Sequence, residues 1–246
     1  MERREYQRLR EYSRSYWWHV GKRALLRSVL EHGVPADPAR PAVDIGCGVG
    51  DSFETLAPFG RFVGTEVTAE LWQRGMERPP RPVLLAEGAR LPFADGSLGL
   101  CTFFDVLEHV EEEDAFLGEV RRVLQPGGFV LVSVPAYMFL WSEHDVSLHH
   151  HRRYVRGSLK QALARNGFTV QRCTYGFAGI LPAVAAYRIL GRWLRGGGDP
   201  SSSYVATPEP LNRLLASWIR GEAWWLRRAD LPFGTSVIAL ARKEGA

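Results

Sequence analysis

The sequence predicts an α/β chain: a doubly wound, mostly parallel seven-stranded sheet with helices on both faces. Three observations carry that expectation. Strand-like apolar segments alternate with helical ones along most of the 246 residues. Four such segments end in Asp44, Glu66, Glu87 and Asp105, which lines up four carboxylates along one sheet edge. After the first of them come Gly46, Gly48 and Gly50, a spacing that lets a strand turn sharply and approach a ligand closely before a helix starts.

Composition sets outer bounds. A hydrophobic content of 46% lets the chain bury a full core as one large domain. The formal charge of +4 and pI of about 9.1 are mildly basic, and the arginines are scattered, which permits an anionic partner without requiring one. Cys47, Cys101 and Cys173 are widely spaced and read as buried thiols of a reducing compartment, so a cytoplasmic protein is expected. Met1 to Arg14 is charged without an apolar core, and no signal peptide is expected.

Taken in order, Tyr16-Trp17-Trp18-His19 precedes an amphipathic pattern through Leu25, Leu26, Val29 and Leu30, which predicts a helix across the sheet edge. Pro41 to Ile45 is the first strand, and Asp51 to Phe59 the first crossover helix, ended by Pro58 and Gly60. Arg61 to Glu66 is the second strand; its acid stands about 20 residues after Gly46, where a doubly wound sheet keeps the carboxylate that holds two ribose hydroxyls. A helix is expected over Thr68 to Glu77, and the run Pro79-Pro80-Arg81-Pro82 cannot continue it. The third strand is Val83 to Glu87, the fourth Leu100 to Asp105, then a helix over Asp114 to Leu124. Gly127 to Val134, almost continuously apolar, suits a central strand buried on both faces. Ser158 to Asn166 is a helix with Ser158 as N-cap and Gly167 as its stop. Phe168 to Tyr175 is the sixth strand and Phe233 to Ala241 the seventh.

Between the last two strands lie about 57 residues, longer than an ordinary loop. They carry two helices, Ile180 to Leu194 and Leu211 to Leu226, joined by the flexible linker Gly196 to Ser203. Pro182, Arg188 and Arg192 make the first helix too interrupted to span a bilayer. A cap over an acceptor pocket is the preferred reading, a homodimer interface the second and a membrane-associated face the third.

The glycine turn argues against two nucleotide motifs. Asp51, not glycine, stands three places after Gly48, unlike the dinucleotide fingerprint, and no Gly-Lys-Ser/Thr follows, unlike a P-loop. Asp44, just before the glycines, suits a ligand with a positively charged end. Asp44-Ile45-Gly46-Cys47-Gly48-Val49-Gly50, Gly64-Thr65-Glu66, Glu87 to Phe93, Asp105-Val106-Leu107-Glu108-His109-Val110 and Val123 to Gly128 together resemble the class I S-adenosylmethionine-dependent methyltransferases, in the small-molecule branch often called type 11. The resemblance covers residues 43–135. It implies a Rossmann-like core over 39–175 and an N-terminal helical lid over 1–38; with the helical insertion over 176–232, read as a cap, and the last strand over 233–246, the chain is expected to form a single domain. It also implies S-adenosylmethionine as cofactor, with S-adenosylhomocysteine as product. On this reading Asp44, Gly46, Cys47, Gly48 and Gly50 receive the methionyl end, Glu66 and Val67 the ribose, and Glu87, Gly88 and Ala89 the adenine. Asp105, Val106 and His109 line the methionyl side. Two positions depart from the pattern: Glu87 stands where aspartate is common, and Leu98-Gly99 where the fourth strand usually opens with Phe-Asp.

After Pro135 the chain becomes aromatic and then rich in histidine and arginine, from Tyr137 to Trp141 and on to His149-His150-His151-Arg152-Arg153-Tyr154. Such a loop, leaving the carboxyl end of a parallel strand, lies beside the place where these sheets bind ligands. His150, Arg152, Arg153 and Tyr154 match a His-x-Arg-Arg-Tyr pattern common in the resembling branch. The acceptor-side candidates are therefore Tyr16, Trp17, Trp18, His19, Tyr137, Trp141, Arg152, Arg153 and Tyr154, with lid packing the other reading for Tyr154 and one arginine. For a hydroxyl acceptor a base of near-neutral pKa is wanted, and His109, His144 and His150 are the choices. Adjacent histidines rarely present to one ion, and no metal is expected. The expected function is methyl transfer to a small, partly apolar acceptor, at oxygen in preference to nitrogen or carbon. The alternatives are an S-adenosylmethionine-binding enzyme that does not methylate, such as a cyclase, a regulatory binding protein, and a peripheral membrane methyltransferase with a lipid-like acceptor. No nucleic-acid partner is expected, since the chain has no Asn-Pro-Pro-Tyr or Pro-Cys catalytic motif and no basic stripe with interleaved aromatics.

Overall fold

A computed structural model describes residues 15–69, 81–194 and 207–245. The seven strands are β1 (Pro41–Ile45), β2 (Arg61–Glu66), β3 (Val83–Leu85), β4 (Leu98–Phe104), β5 (Leu124–Pro135), β6 (Phe168–Gly176) and β7 (Ser236–Lys243). They form one sheet in the order β3-β2-β1-β4-β5-β7-β6. β1 to β5 are parallel, and β7 runs antiparallel between β5 and β6. The expected fold is the one observed. From β1 the chain winds one way to β2 and β3, then returns to lay β4 and β5 on the other side. The crevice outside the carboxyl ends of β1 and β4 is the place where such a sheet binds ligands.

Helices cover both faces. α1 (Trp17–Gly33), α2 (Phe53–Leu56) and α7 (Glu209–Leu226) bury Leu25, Val29, Phe53, Leu56, Ile219 and Leu226 on one side. α3 (Glu113–Val123) and α5 (Arg156–Arg165) bury Phe116, Leu117, Val120, Leu159 and Leu163 on the other. Two further helices, α4 (Glu143–Ser147) and α6 (Leu181–Leu194), flank the segment that follows β5. α7 packs along α1: Ser28 Oγ donates to the Ala223 carbonyl at 2.6 Å, and the Trp17 amide donates to Asn212 Oδ1 at 2.8 Å.

Several boundaries differ from the sequence expectation. The first crossover helix is Phe53–Leu56 rather than Asp51 to Phe59, because Ser52 spends its hydroxyl on Asp44 instead of on a helix N-terminus. The third strand stops at Leu85, so Glu87 lies two residues beyond it, exposed. Ser158 is not an N-cap: a bridge between Tyr154 and Ala136 keeps the chain extended to Val155, the helix starts at Arg156, and Ser158 Oγ instead accepts from the Val155 amide at 3.0 Å. Gly167, with φ +77°, ends that helix as expected. α4 is a helix the sequence reading left out. The expected helix over Thr68 to Glu77, the linker Gly196 to Ser203 and the segment Met1 to Arg14 fall wholly or largely outside the described residues. The three cysteines are free and buried. Among the described residues no helix is long and apolar enough to cross a membrane.

Candidate functional site

The glycine turn leaves β1 with φ of +67°, +55° and +74° at Gly46, Gly48 and Gly50, the left-handed region that L-residues with side chains avoid. A Cβ at Gly46 would stand 2.6 Å from Val106 Cγ2, so the turn and the segment after β4 are in direct contact there. The amides of Gly46 and Cys47 both donate to the Thr65 carbonyl, at 2.8 and 3.1 Å.

Glu66 closes this end of the crevice. Its Oε2 accepts from the Gly48 amide and its Oε1 from the Val67 amide, each at 3.0 Å. Burial raises its pKa, and these two amides pull the other way. The side chain is 9% exposed. A carboxylate offers about four lone-pair sites, so two remain for ligand hydroxyls. That is the fit a ribose needs.

Asp44 is placed differently from the expectation of a ligand-facing acid. It is 1% exposed, accepts from Ser52 Oγ at 2.5 Å and from Thr102 Oγ1 at 2.6 Å, and burial pushes its pKa up to about 6. It ties β1, β4 and the turn together. Asp105, just past β4 with φ +52°, pairs with Lys22 Nζ at 2.7 Å, and Ser133 Oγ donates to it at 3.3 Å. Lys22 also lies 5.0 Å from the Trp18 ring centroid. It is a residue sequence reasoning passed over, although it falls one helical turn after Trp18. Of the adenine-side trio, Glu87 and Ala89 are exposed and Gly88 backs onto the Phe116 ring, where a Cβ would meet it at 2.3 Å.

The N-terminal aromatics pack rather than dangle. Trp18 stacks on Phe177 at 5.8 Å and 6°, Trp17 meets the same ring edge-on at 6.3 Å, Tyr16 is buried, and His19 lies 3.5 Å from Asp51, which Arg23 also holds at 3.0 Å. Across the sheet edge Tyr137 stacks on Tyr175 at 5.3 Å, and Trp141 is half-buried.

The histidine-rich loop is organised by Asp145, fully buried and missed by the sequence reading, although Ser142-x-x-Asp145 is a helix-start signal. Arg153 clamps it through Nε at 2.7 Å and Nη2 at 3.0 Å, and His150 Nδ1 lies 2.9 Å from its Oδ1. Burial pushes its carboxyl up, but the bonds from His150 and Arg153 outweigh that and hold it well below the usual range. Arg188 of α6 adds a contact at 3.5 Å and donates to the Leu140 carbonyl. Arg153 and Tyr154, offered as acceptor contacts, are committed to the loop's own framework: Tyr154 is buried and its hydroxyl donates to Glu113 at 3.0 Å. Arg152 reaches the Glu111 carbonyl at 2.7 Å.

The structure brings two of the three histidines face to edge. His109 and His150 have ring centroids 4.5 Å apart, and His144 lies 6.2 Å from His150. Burial pushes His144 down to about 4, so it is neutral at physiological pH and poorly matched as a base there.

Residues 43–132 match the family described as Methyltransferase domain. That stretch is a methyltransferase domain, and the sheet around it has the class I methyltransferase fold. A probable S-adenosylmethionine-dependent methyltransferase of Mycolicibacterium smegmatis is 31% identical over 137 residues, 54% of this chain and 53% of that protein. The chain spans about half the length of several curated relatives it matches. Among solved structures, the [4+2]-cyclase SpnF has the same fold at a TM-score of 0.59 and 17% identity, covering 94% of this chain and 86% of its own. The geranyl diphosphate C-methyltransferase of Streptomyces coelicolor, crystallised with Mg2+, geranyl diphosphate and S-adenosylhomocysteine, has a TM-score of 0.57 at 16% identity over 92% of this chain and 81% of its own. S-adenosylmethionine is the cofactor of such methyltransferase domains.

Proposed function

We propose that the chain is an S-adenosylmethionine-dependent methyltransferase that methylates a small, partly apolar acceptor, at oxygen rather than nitrogen or carbon. The observation that carries this reading is Glu66, held by two backbone amides with lone pairs to spare at the carboxyl end of β2, beside the glycine turn. The cofactor supplies a methyl on a positively charged sulfur; the acceptor's lone pair forms the new bond to carbon as the carbon–sulfur pair returns to sulfur. The chain's part is to bind, align and exclude water, which alone accounts for much of such a rate. The glycine turn takes the methionyl end, Glu66 the ribose, and the segment after β3 the adenine. Tyr137, Trp141 and the α1 aromatics supply apolar surface for the acceptor. His150, oriented by Asp145, is the histidine best held to take a proton from an acceptor hydroxyl.

Calorimetric titration with S-adenosylmethionine and S-adenosylhomocysteine tests the reading. Micromolar binding, weakened about a hundredfold or more in Glu66→Ala through loss of two charge-assisted hydrogen bonds, is expected. Absence of binding by folded protein overturns it. The likeness to a cyclase favours a second reading, in which the cofactor binds but is never consumed. A homocysteine-release assay against phenolic, alkyl and prenyl alcohols separates the two.

A further inference from the structure

Three side chains that are distant in sequence converge at the carboxyl end of β4. Glu108 and His109 sit in the short turn Leu107–His109, and His150 comes from the loop after α4. The amide of His151 donates to the Glu108 carbonyl at 2.8 Å, which fixes the two segments side by side. One carboxylate oxygen and one nitrogen of each ring all lie within 4.8 Å of one another.

Glu108 is 0% exposed, and neither carboxylate oxygen has a hydrogen-bond partner among the described residues. A buried carboxylate is ordinarily paired, hydrogen-bonded or bound to a metal. The neighbouring cations are spent elsewhere: Lys22 on Asp105 at 2.7 Å, Arg153 on Asp145 at 2.7 Å. The two rings, by contrast, are already held from behind. His150 uses Nδ1 on Asp145 at 2.9 Å, which leaves Nε2, and the backbone of Leu148 is the hydrogen-bond partner of the His109 ring. A carboxylate or carbonyl behind each imidazole is the outer shell that metal-bound histidines characteristically have.

We propose that Glu108, His109 and His150 bind one divalent transition-metal ion. Two imidazoles and a carboxylate suit zinc, manganese, cobalt or ferrous iron better than magnesium or calcium, which prefer all-oxygen shells. Adjacent histidines in the His149-His150-His151 run do not share the ion; only the middle one contributes, and the other ligands come from the turn after β4. One consequence rests on the methyl-transfer reading. An acceptor hydroxyl on an open position of the ion gives up its proton to solvent more readily, keeping its lone pair for the methyl, and His150 then acts as ligand rather than base.

Chelator-stripped full-length protein is titrated with manganese, zinc and cobalt chlorides by calorimetry, with the cobalt(II) visible spectrum as a second readout. One-to-one binding is expected, weakened at least tenfold in Glu108→Gln and His109→Asn and unchanged in His151→Ala, an exposed neighbour outside the cluster. His109 lies at the surface, so His109→Asn reports even where Glu108→Gln fails to fold, as judged by circular dichroism. No stoichiometric binding by folded wild-type protein overturns the proposal, and so does binding that all three variants retain. S-adenosylmethionine titration of the metal-free protein is run beside it. Cofactor binding without metal binding removes only this proposal; metal binding without cofactor binding removes only the methyl-transfer reading.

Discussion

At the β1–β2 end of the crevice, Glu66 takes its hydrogen bonds from the backbone amides of residues 48 and 67; at the β4–β5 end, the Glu108 carboxylate takes none from the described residues. The first carboxylate is held by backbone groups of the glycine turn and of the residue after Glu66, whatever side chains surround it. The second is surrounded by side chains that look after one another: Lys22 on Asp105, and Arg153 and His150 on Asp145. One end is therefore a backbone site, preorganised to receive hydroxyls. The other is a side-chain network, in which one missing member leaves a buried charge alone.

The largest effect should come from breaking that network. Asp145→Asn leaves the Arg153 guanidinium, 5% exposed, without its counter-charge, and is expected to cost about 3 kcal/mol or more of unfolding free energy in a urea titration. A loss under about 1 kcal/mol would mean that Asp145 does not organise the loop.

A comparable magnitude is expected at Asp44, through pH. Its folded pKa of about 6 lies above the ordinary 3.8, so the folded state binds the extra proton between those values. Stability contributed by that proton is full below about 3.8 and is lost as pH rises to about 6, by roughly 3 kcal/mol at most. Melting temperatures of wild type and Asp44→Asn, compared from pH 4 to 7, should therefore converge or cross as pH rises, to the disadvantage of wild type. A constant difference across that range would show that Asp44 titrates normally.

Third in size is the backbone site. Gly46→Ala puts a Cβ into a φ of +67° and 2.6 Å from Val106 Cγ2, and about 2 kcal/mol of stability should go with it. Weakened cofactor binding beyond that of a destabilised but folded protein would show that the turn geometry itself is read by the ligand. Smallest of all is Lys22→Met. Both partners of its ion pair are partly exposed, and a change of about 1 kcal/mol or less is expected by the same titration.

This contrast also explains how far the chain can be read without coordinates. The strand segments, the three-glycine turn and the acid closing β2 are legible because each depends on neighbours within a few positions: apolar runs make buried parallel strands, and glycine turns that way at least steric cost. Two of the errors of detail are of one kind. The expected helix start at Asp51 lost to Ser52 donating to Asp44, and the expected cap at Ser158 lost to the Tyr154–Ala136 bridge; in each case a tertiary partner outbid a local one.

From residue types and spacing alone come the doubly wound sheet, the ligand crevice and the residues beside it. Only the folded chain decides what those residues face. Asp44 turns inward to Thr102, Arg153 and Tyr154 hold a loop, and Glu108 meets His150 from 42 positions away with its oxygens bare. The physical reason is range: backbone geometry follows from local sequence, whereas the partner of a buried charge is set by which distant segments the sheet brings together.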